Sequence, residues 1–113
     1  MIASYPKPPK TKHSRHKSNP KPTYEDYCEF DLDGNLCGEG YASLHEVYAG
    51  KNRNNSIHWN MQIRLCPVCH FEVQHGLRSG EYNDVLKQEY QRIFESEYGS
   101  RDDFRRIFGK SYL

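Results

Sequence analysis

The clearest hydrophobic pattern lies in the C-terminal third of the chain. Apolar side chains recur there at spacings of three and four, which is typical of one buried helix face. These positions are Tyr82, Val85, Leu86, Tyr90, Ile93, Phe94 and Tyr98. Gly99 is a good helix stop, and Ser100 with Asp103 predicts a short second helix that ends at Gly109. We therefore predict helices within residues 80–113, with their aromatic side chains in the core.

Upstream, the pattern changes to short segments typical of β-strands. Residues 41–48 are rich in tyrosine and valine, and apolar side chains occupy alternate positions in residues 59–65. The polar segment 49–56 between them predicts a loop. Pro67 suits the first turn of a helix that should end near Gly76. The pattern thus predicts a small α+β fold in which two strands precede a short helix.

The N-terminal segment differs in composition from everything after it. Residues 1–23 hold five of the six prolines and almost no aliphatic side chains, so we predict a disordered arm ahead of a domain over residues 24–113. Residues 1–22 carry six basic residues and no acid, a charge of +6, whereas the other 10 basic and 15 acidic residues give −5. Such asymmetry indicates an anionic partner, usually nucleic acid. The alternative is a solubilising tail without a partner.

The composition predicts that the domain needs a covalent or metal cross-link. Hydrophobic residues make up only 35% of the chain, which is little for a core of this size. No apolar run is long enough for a signal peptide or a membrane helix, so we expect a cytoplasmic protein with no membrane partner. A reducing compartment favours thiolate-bound metal over disulfides.

Two cysteine pairs provide candidate ligands for one zinc ion. These cysteines are Cys28, Cys37, Cys66 and Cys69. The second pair has Cys-x-x-Cys spacing, which points two thiolates at one ion roughly 2.3 Å from each sulfur. Eight residues separate the first pair, but an Asp-Gly turn at 33–34 can close that loop, and Gly38 permits a sharp turn beneath the metal. Four thiolates would form a closed, structural Zn²⁺ site; the alternative replaces Cys28 with a histidine.

The segments 44–56 and 61–70 together resemble phage and prophage HNH nucleases. The shared order is a strand histidine, a polar loop, a second strand and a helix that begins Cys-Pro-Val-Cys-His. The ending 104–113 is similar to the closing segment of those proteins, so the resemblance covers residues 28–113. It implies a ββα-metal fold with a zinc-bound core over 28–76. It also implies hydrolysis of double-stranded DNA, by nicking or cleavage, with Mg²⁺ or Mn²⁺ as the catalytic ion.

The resemblance implies roles for two histidines. His45 matches the general base and His70 matches a ligand of the catalytic ion, and both roles suit imidazole, whose pKa lies near neutrality. Glu46 can assist the ion or be a solvated strand residue. His75 is the candidate second ligand, although the usual position, one helical turn after the first ligand, is Gln74.

The sequence departs from the family pattern near the base. Leu44 stands where many members have an acid or a histidine that helps to bind metal. Asn60 lies one residue before the usual place of the asparagine that orients the base, and three loop asparagines are alternatives: Asn52, Asn54 and Asn55. These departures concern catalysis rather than fold. They keep open a second hypothesis, an inactive zinc-stabilised nucleic-acid-binding module, and a third, a scaffold for protein partners.

Basic residues that flank the proposed site are candidate phosphate contacts, with solvated surface charge as the alternative. They are Lys51, Arg53 and Arg64. No helix carries several side chains suited to reading bases, so we predict weak sequence specificity dominated by phosphate contacts. The remaining histidines are predicted to be non-catalytic: His13, His16 and His58.

Overall fold

The computed structural model describes residues 21–32 and 35–113. Most of the basic arm, with His13 and His16, and the predicted turn at 33–34 lie outside the described residues. The described elements form a small α+β fold. In chain order they are β1 (Asp31–Leu32), β2 (Asn35–Leu36), β3 (Ser43–Glu46), a 3-10 helix (Gly50–Asn52), α1 (Arg53–His58), β4 (Gln62–Leu65), α2 (Pro67–His75), α3 (Ser79–Glu97) and α4 (Arg101–Phe108).

The two predicted strands pair with each other but are shorter than predicted. β3 and β4 run antiparallel, with His45 opposite Ile63. Tyr41, with φ of 59°, and Asn60, with φ of 61°, lie in the left-handed region. An extended strand cannot include that conformation, which explains why β3 and β4 begin only after these residues.

The segment 49–56, predicted as a loop, instead contains the 3-10 helix and most of α1. Its residues have modest helix propensity, and side-chain contacts with α4 hold them in place. The amide of Asn52 donates a hydrogen bond to the carbonyl of Phe108, and the amide of Asn55 donates one to the carbonyl of Ile107. The last carbonyls of a helix have no partner within it, so these bonds also complete the end of α4.

The three later helices agree with the sequence signals that predicted them. α2 has Pro67 in its first turn and ends at Gly76. Ser100 and Asp103 form a reciprocal capping box at the start of α4, and Gly109 ends that helix with φ of 97°, a conformation that favours glycine. Among the described helices, none has both the length and the apolar character required to cross a membrane.

Aromatic side chains form the centre of the core, as the pattern predicted. Tyr48 follows β3 and packs against Phe108, with 4.7 Å between ring centroids, and Phe108 stacks on Phe104 at the same distance. Phe94 of α3 is completely buried against these rings. The other aromatic residues of the α3 stripe are partly buried against this core: Tyr82, Tyr90 and Tyr98.

Candidate metal centre and histidine pair

A short hairpin brings the first cysteine pair together. Cys28 precedes β1 and Cys37 follows β2, and these strands pair antiparallel. The N–H of Cys37 donates to the carbonyl of Phe30, and the N–H of Gly38 donates to the carbonyl of Cys28. Gly38 has φ of 71°, which favours glycine. The hairpin therefore closes the eight-residue separation, as the sequence predicted.

The second pair lies at the start of α2. Cys66 is the N-cap residue, and its sulfur accepts a hydrogen bond from the backbone N–H of Cys69. Pro67 fixes the first helical position without needing a hydrogen-bond partner for its nitrogen. Both thiols therefore project from one rigid turn.

The four thiols together meet the geometric requirements of a metal site. All four sulfur atoms lie within 4.8 Å of one another, and the sulfurs of Cys37 and Cys66 are 3.9 Å apart. A tetrahedral ion ~2.3 Å from each sulfur would separate the sulfurs by about 3.8 Å. None of the four is in a disulfide. The cluster can therefore hold a metal ion such as zinc.

The pKa values of these thiols depend on both burial and hydrogen bonding. Burial raises the pKa of Cys28 and of Cys69 above that of an ordinary thiol. Burial acts in the same direction on Cys66, but the backbone N–H of Cys69 and the neighbouring thiols outweigh it and lower the pKa of Cys66. Cys66 thus favours the thiolate, which is the form that binds metal, more than Cys28 or Cys69 does.

Two imidazoles contact each other edge to face beside this cluster. The rings of His45, on β3, and His70, on α2, have centroids 5.2 Å apart and planes inclined by 71°. Nδ1 of His70 lies 3.5 Å from the hydroxyl oxygen of Ser43. Because side chains alternate along a strand, Ser43 and His45 lie on the same face of β3. The sequence analysis missed Ser43, whose only signal was its position two residues before His45.

His45 is almost completely enclosed. Only 9% of it is exposed, and its Nε2 atom is buried without a hydrogen-bond partner among the described residues. Burial, and secondarily the nearby His70, lower the pKa of His45, while Glu46 acts in the opposite direction. The lowered pKa favours the neutral form of the ring.

The structure does not bring Glu46 or His75 to this histidine pair. Glu46 follows His45 on the strand, so it points to the opposite face, where its carboxylate binds Nε of Arg53 at 2.7 Å. The exposed ring of His75 packs on Phe71 with 5.6 Å between centroids. Within residues 21–32 and 35–113, the four cysteines are the only group of three or more Cys, His, Asp or Glu close enough to share a metal.

Asn60 has a structural environment of its own. It follows α1 in the left-handed conformation, and its side-chain oxygen is buried without a hydrogen-bond partner among the described residues. Burial and Glu97 raise the pKa of Tyr98, and a hydrogen bond with Asn60 partly offsets that rise. Asn60 therefore contacts Tyr98, the residue that follows α3.

The three candidate phosphate contacts differ in how far other residues of the chain already engage their side chains. Lys51 is exposed on the 3-10 helix. Arg53 is exposed as well, although Glu46 binds it. Arg64 donates to the carbonyl of Ala42 at 3.0 Å and lies 3.7 Å from a carboxylate oxygen of Asp26, so it also stabilises the fold. Lys51 and Arg53 are thus the more available of the three.

Comparisons with models of protein families, with curated proteins and with solved structures gave no match to this chain. The assignment of a function therefore depends on the geometry of the cysteine cluster and the histidine pair.

Proposed function

We propose that this chain is a zinc-stabilised, metal-dependent DNA endonuclease of the HNH type. One observation carries the proposal: the rings of His45 and His70, from a strand and the following helix, contact each other edge to face beside the cysteine cluster, with 5.2 Å between their centroids. The antiparallel pair β3–β4 followed directly by α2 supports it, since this is the order that the resemblance implies.

In this proposal the four cysteines bind one structural Zn²⁺. A closed set of four thiolates leaves no coordination position for water, so the zinc takes no part in hydrolysis. Its role is to fix the start of α2 against the hairpin at Cys28 and Cys37. Because His70 directly follows Cys69, that attachment also sets the position of the His70 ring.

His45 acts as the general base. Its neutral imidazole takes a proton from a water molecule, whose oxygen attacks phosphorus while the bond from phosphorus to the leaving oxygen breaks. His70 holds a divalent ion, Mg²⁺ or Mn²⁺, with Ser43 restraining its ring. When bound, such an ion offsets the charge that develops on the phosphate. Lys51 and Arg53 contact flanking phosphates of double-stranded DNA.

A second candidate function is a zinc-stabilised nucleic-acid-binding module without turnover. The surroundings of the histidine pair favour it. Glu46 is engaged by Arg53, His75 packs on Phe71, and Leu44 stands where an acid or a histidine would assist the ion. In this case the cysteine cluster and the basic residues keep their roles, while His45 and His70 catalyse no reaction.

A plasmid-nicking assay distinguishes the two functions. The purified chain is incubated with supercoiled DNA and Mg²⁺ or Mn²⁺, beside His45→Ala and the matched control His58→Ala, whose ring lies on α1 against Trp59. The nuclease proposal expects nicking by the parent chain and the control and none by His45→Ala. Equal nicking by all three removes His45 from the mechanism. DNA binding without nicking in either metal favours the binding module.

A further inference from the structure

A groove of about 550 Å³ lies between the hairpin segment and α3. Its floor is apolar: Phe30, Ile63 and Leu86 are buried there, whereas Val85 and Ile93 are 53% and 37% exposed. Exposed apolar side chains within a concave surface favour a partner that covers them.

The rim of this groove is strongly acidic. Glu29, Asp31, Glu89 and Glu97 line it together with one base, Arg92, so four negative charges and one positive charge give −3. Glu29 also accepts a hydrogen bond from a backbone N–H of β4. Among the salt bridges of the described residues, none involves Asp31, Glu89 or Glu97.

Acidic and apolar side chains alternate along the groove. Val85, Glu89, Ile93 and Glu97 follow one another at intervals of four residues, so they form a single row on α3. The pKa of Tyr90 at the groove is raised by its burial and further by the negative charges of Glu29 and Glu89. Glu29, from the hairpin segment, and Glu89, from α3, therefore both place negative charge near Tyr90. The groove fits a chain segment that is basic and carries a few apolar side chains.

The N-terminal segment of this chain has that composition. Residues 1–20 contain five basic residues and no acid, and they also include Ile2 and Tyr5. Twenty extended residues span up to about 66 Å, whereas the longest dimension of the molecule is 49 Å. The segment can therefore reach the groove from its attachment at Lys21. We propose that residues 1–20 bind in the acidic groove of their own chain, with lysines against its carboxylates and apolar side chains on its floor.

Two physical properties follow. Most of the attraction is between exposed charges, so it weakens as salt shortens the distance over which charges act. The attachment of the segment to the domain raises its effective concentration at the groove, so modest affinity is enough. The inference does not depend on hydrolysis by His45, and the two proposals can fail separately.

Zero-length carbodiimide cross-linking tests the proposal on the intact chain. The reagent joins a lysine amine directly to a contacting carboxylate, and mass spectrometry of the cross-linked protein, monomer and dimer alike, identifies the linked pairs. We expect links from Lys7, Lys10, Lys12 or Lys17 to Glu29, Asp31, Glu89 or Glu97, with most of them lost in high salt. A mixture of ¹⁴N- and ¹⁵N-labelled chains shows whether each link is within one chain.

A charge-reversal pair provides the control. Glu89→Lys with Glu97→Lys should lose most links between the arm and the groove. Asp84→Lys with Asp102→Lys changes the net charge equally at exposed positions outside the groove and should keep them. Links spread evenly over all exposed acids, or equal in the two variants, overturn the proposal. Links between differently labelled chains overturn it in favour of a second copy as the partner. If the first variant fails to fold, the salt dependence of the parent chain decides.

Discussion

The side-chain amide of Asn52 donates a hydrogen bond of 2.8 Å to the carbonyl oxygen of Phe108. These residues lie 56 positions apart, and the bond ties the segment that follows β3 to the last turn of α4. Asn55 makes the same kind of bond to Ile107 and also contacts Asn52. The helices at the C-terminus are thus attached directly to the segment next to the histidine-bearing strand.

Asn52→Ala should lower the free energy of unfolding by about 1 kcal/mol, because a net hydrogen bond is worth roughly that amount and the carbonyl of Phe108 loses its partner. Asn54→Ala is the matched control, since Asn54 lies exposed in the neighbouring turn and should change stability by less than about 0.5 kcal/mol. Urea denaturation followed by circular dichroism measures both. Equal effects of the two substitutions would contradict the importance of this bond.

Zinc removal should unfold the domain. A structural zinc contributes on the order of 10 kcal/mol, which is comparable to the whole stability of a small domain. We expect about one equivalent of zinc in the purified chain, loss of helical circular dichroism with a chelator, and recovery when zinc is restored. Cys37→Ser should bind zinc less tightly and unfold at a lower chelator concentration. A zinc content well below one equivalent in the folded protein would contradict the four-cysteine site.

The capping box of α4 should make stability depend on pH in acid. The backbone N–H of Ser100 is the main cause that holds the pKa of Asp103 below its ordinary value of 3.8. The ionised carboxylate of Asp103 therefore contributes its full stabilisation at pH values above 3.8. That stabilisation is lost as the pH falls through the lower pKa that Asp103 has in the folded protein. Asp103→Ala removes it, so the difference in unfolding free energy from the parent chain should be constant near neutrality and shrink in acid. A difference that persists unchanged at the lowest pH would contradict the role of ionisation.

Local signals account for the parts of the fold that the sequence predicted. Pro67, the Ser100–Asp103 box and Gly109 each act within one helical turn, so α2 and α4 were predictable from short windows. Helix α1 was not predictable, because Asn52 and Asn55 bond to residues more than fifty positions away. No short window of a polar segment contains that information.

The difference between local signals and contacts in the folded chain also explains which site residues were predictable. Cysteine spacing predicted a cluster that the structure shows, since a hairpin and a helix turn leave few other arrangements. Glu46 and His75 were tentative ligands, and the structure places them elsewhere for geometric reasons. Glu46 is adjacent to His45 on a strand and must face the other way. His75 follows His70 by five residues, which is well past one full turn of 3.6 residues.

Ser43 should be a positioning residue for the proposed nuclease. Its hydroxyl lies 3.5 Å from Nδ1 of His70, so it restrains the ring that would hold the divalent ion. Ser43→Ala should weaken Mn²⁺ binding and reduce nicking by about tenfold, which is typical for removal of a partner of a metal ligand, while circular dichroism stays unchanged. Ser43→Thr keeps the hydroxyl and should recover most of both. Ser96→Ala is the matched control, because Ser96 is an exposed residue of α3 that lines the groove and not the histidine pair. If Ser43→Ala binds Mn²⁺ as tightly as the parent chain, the hydroxyl does not orient His70. If Ser43→Ala and Ser43→Thr lose Mn²⁺ affinity and nicking equally, Ser43 has a packing role instead.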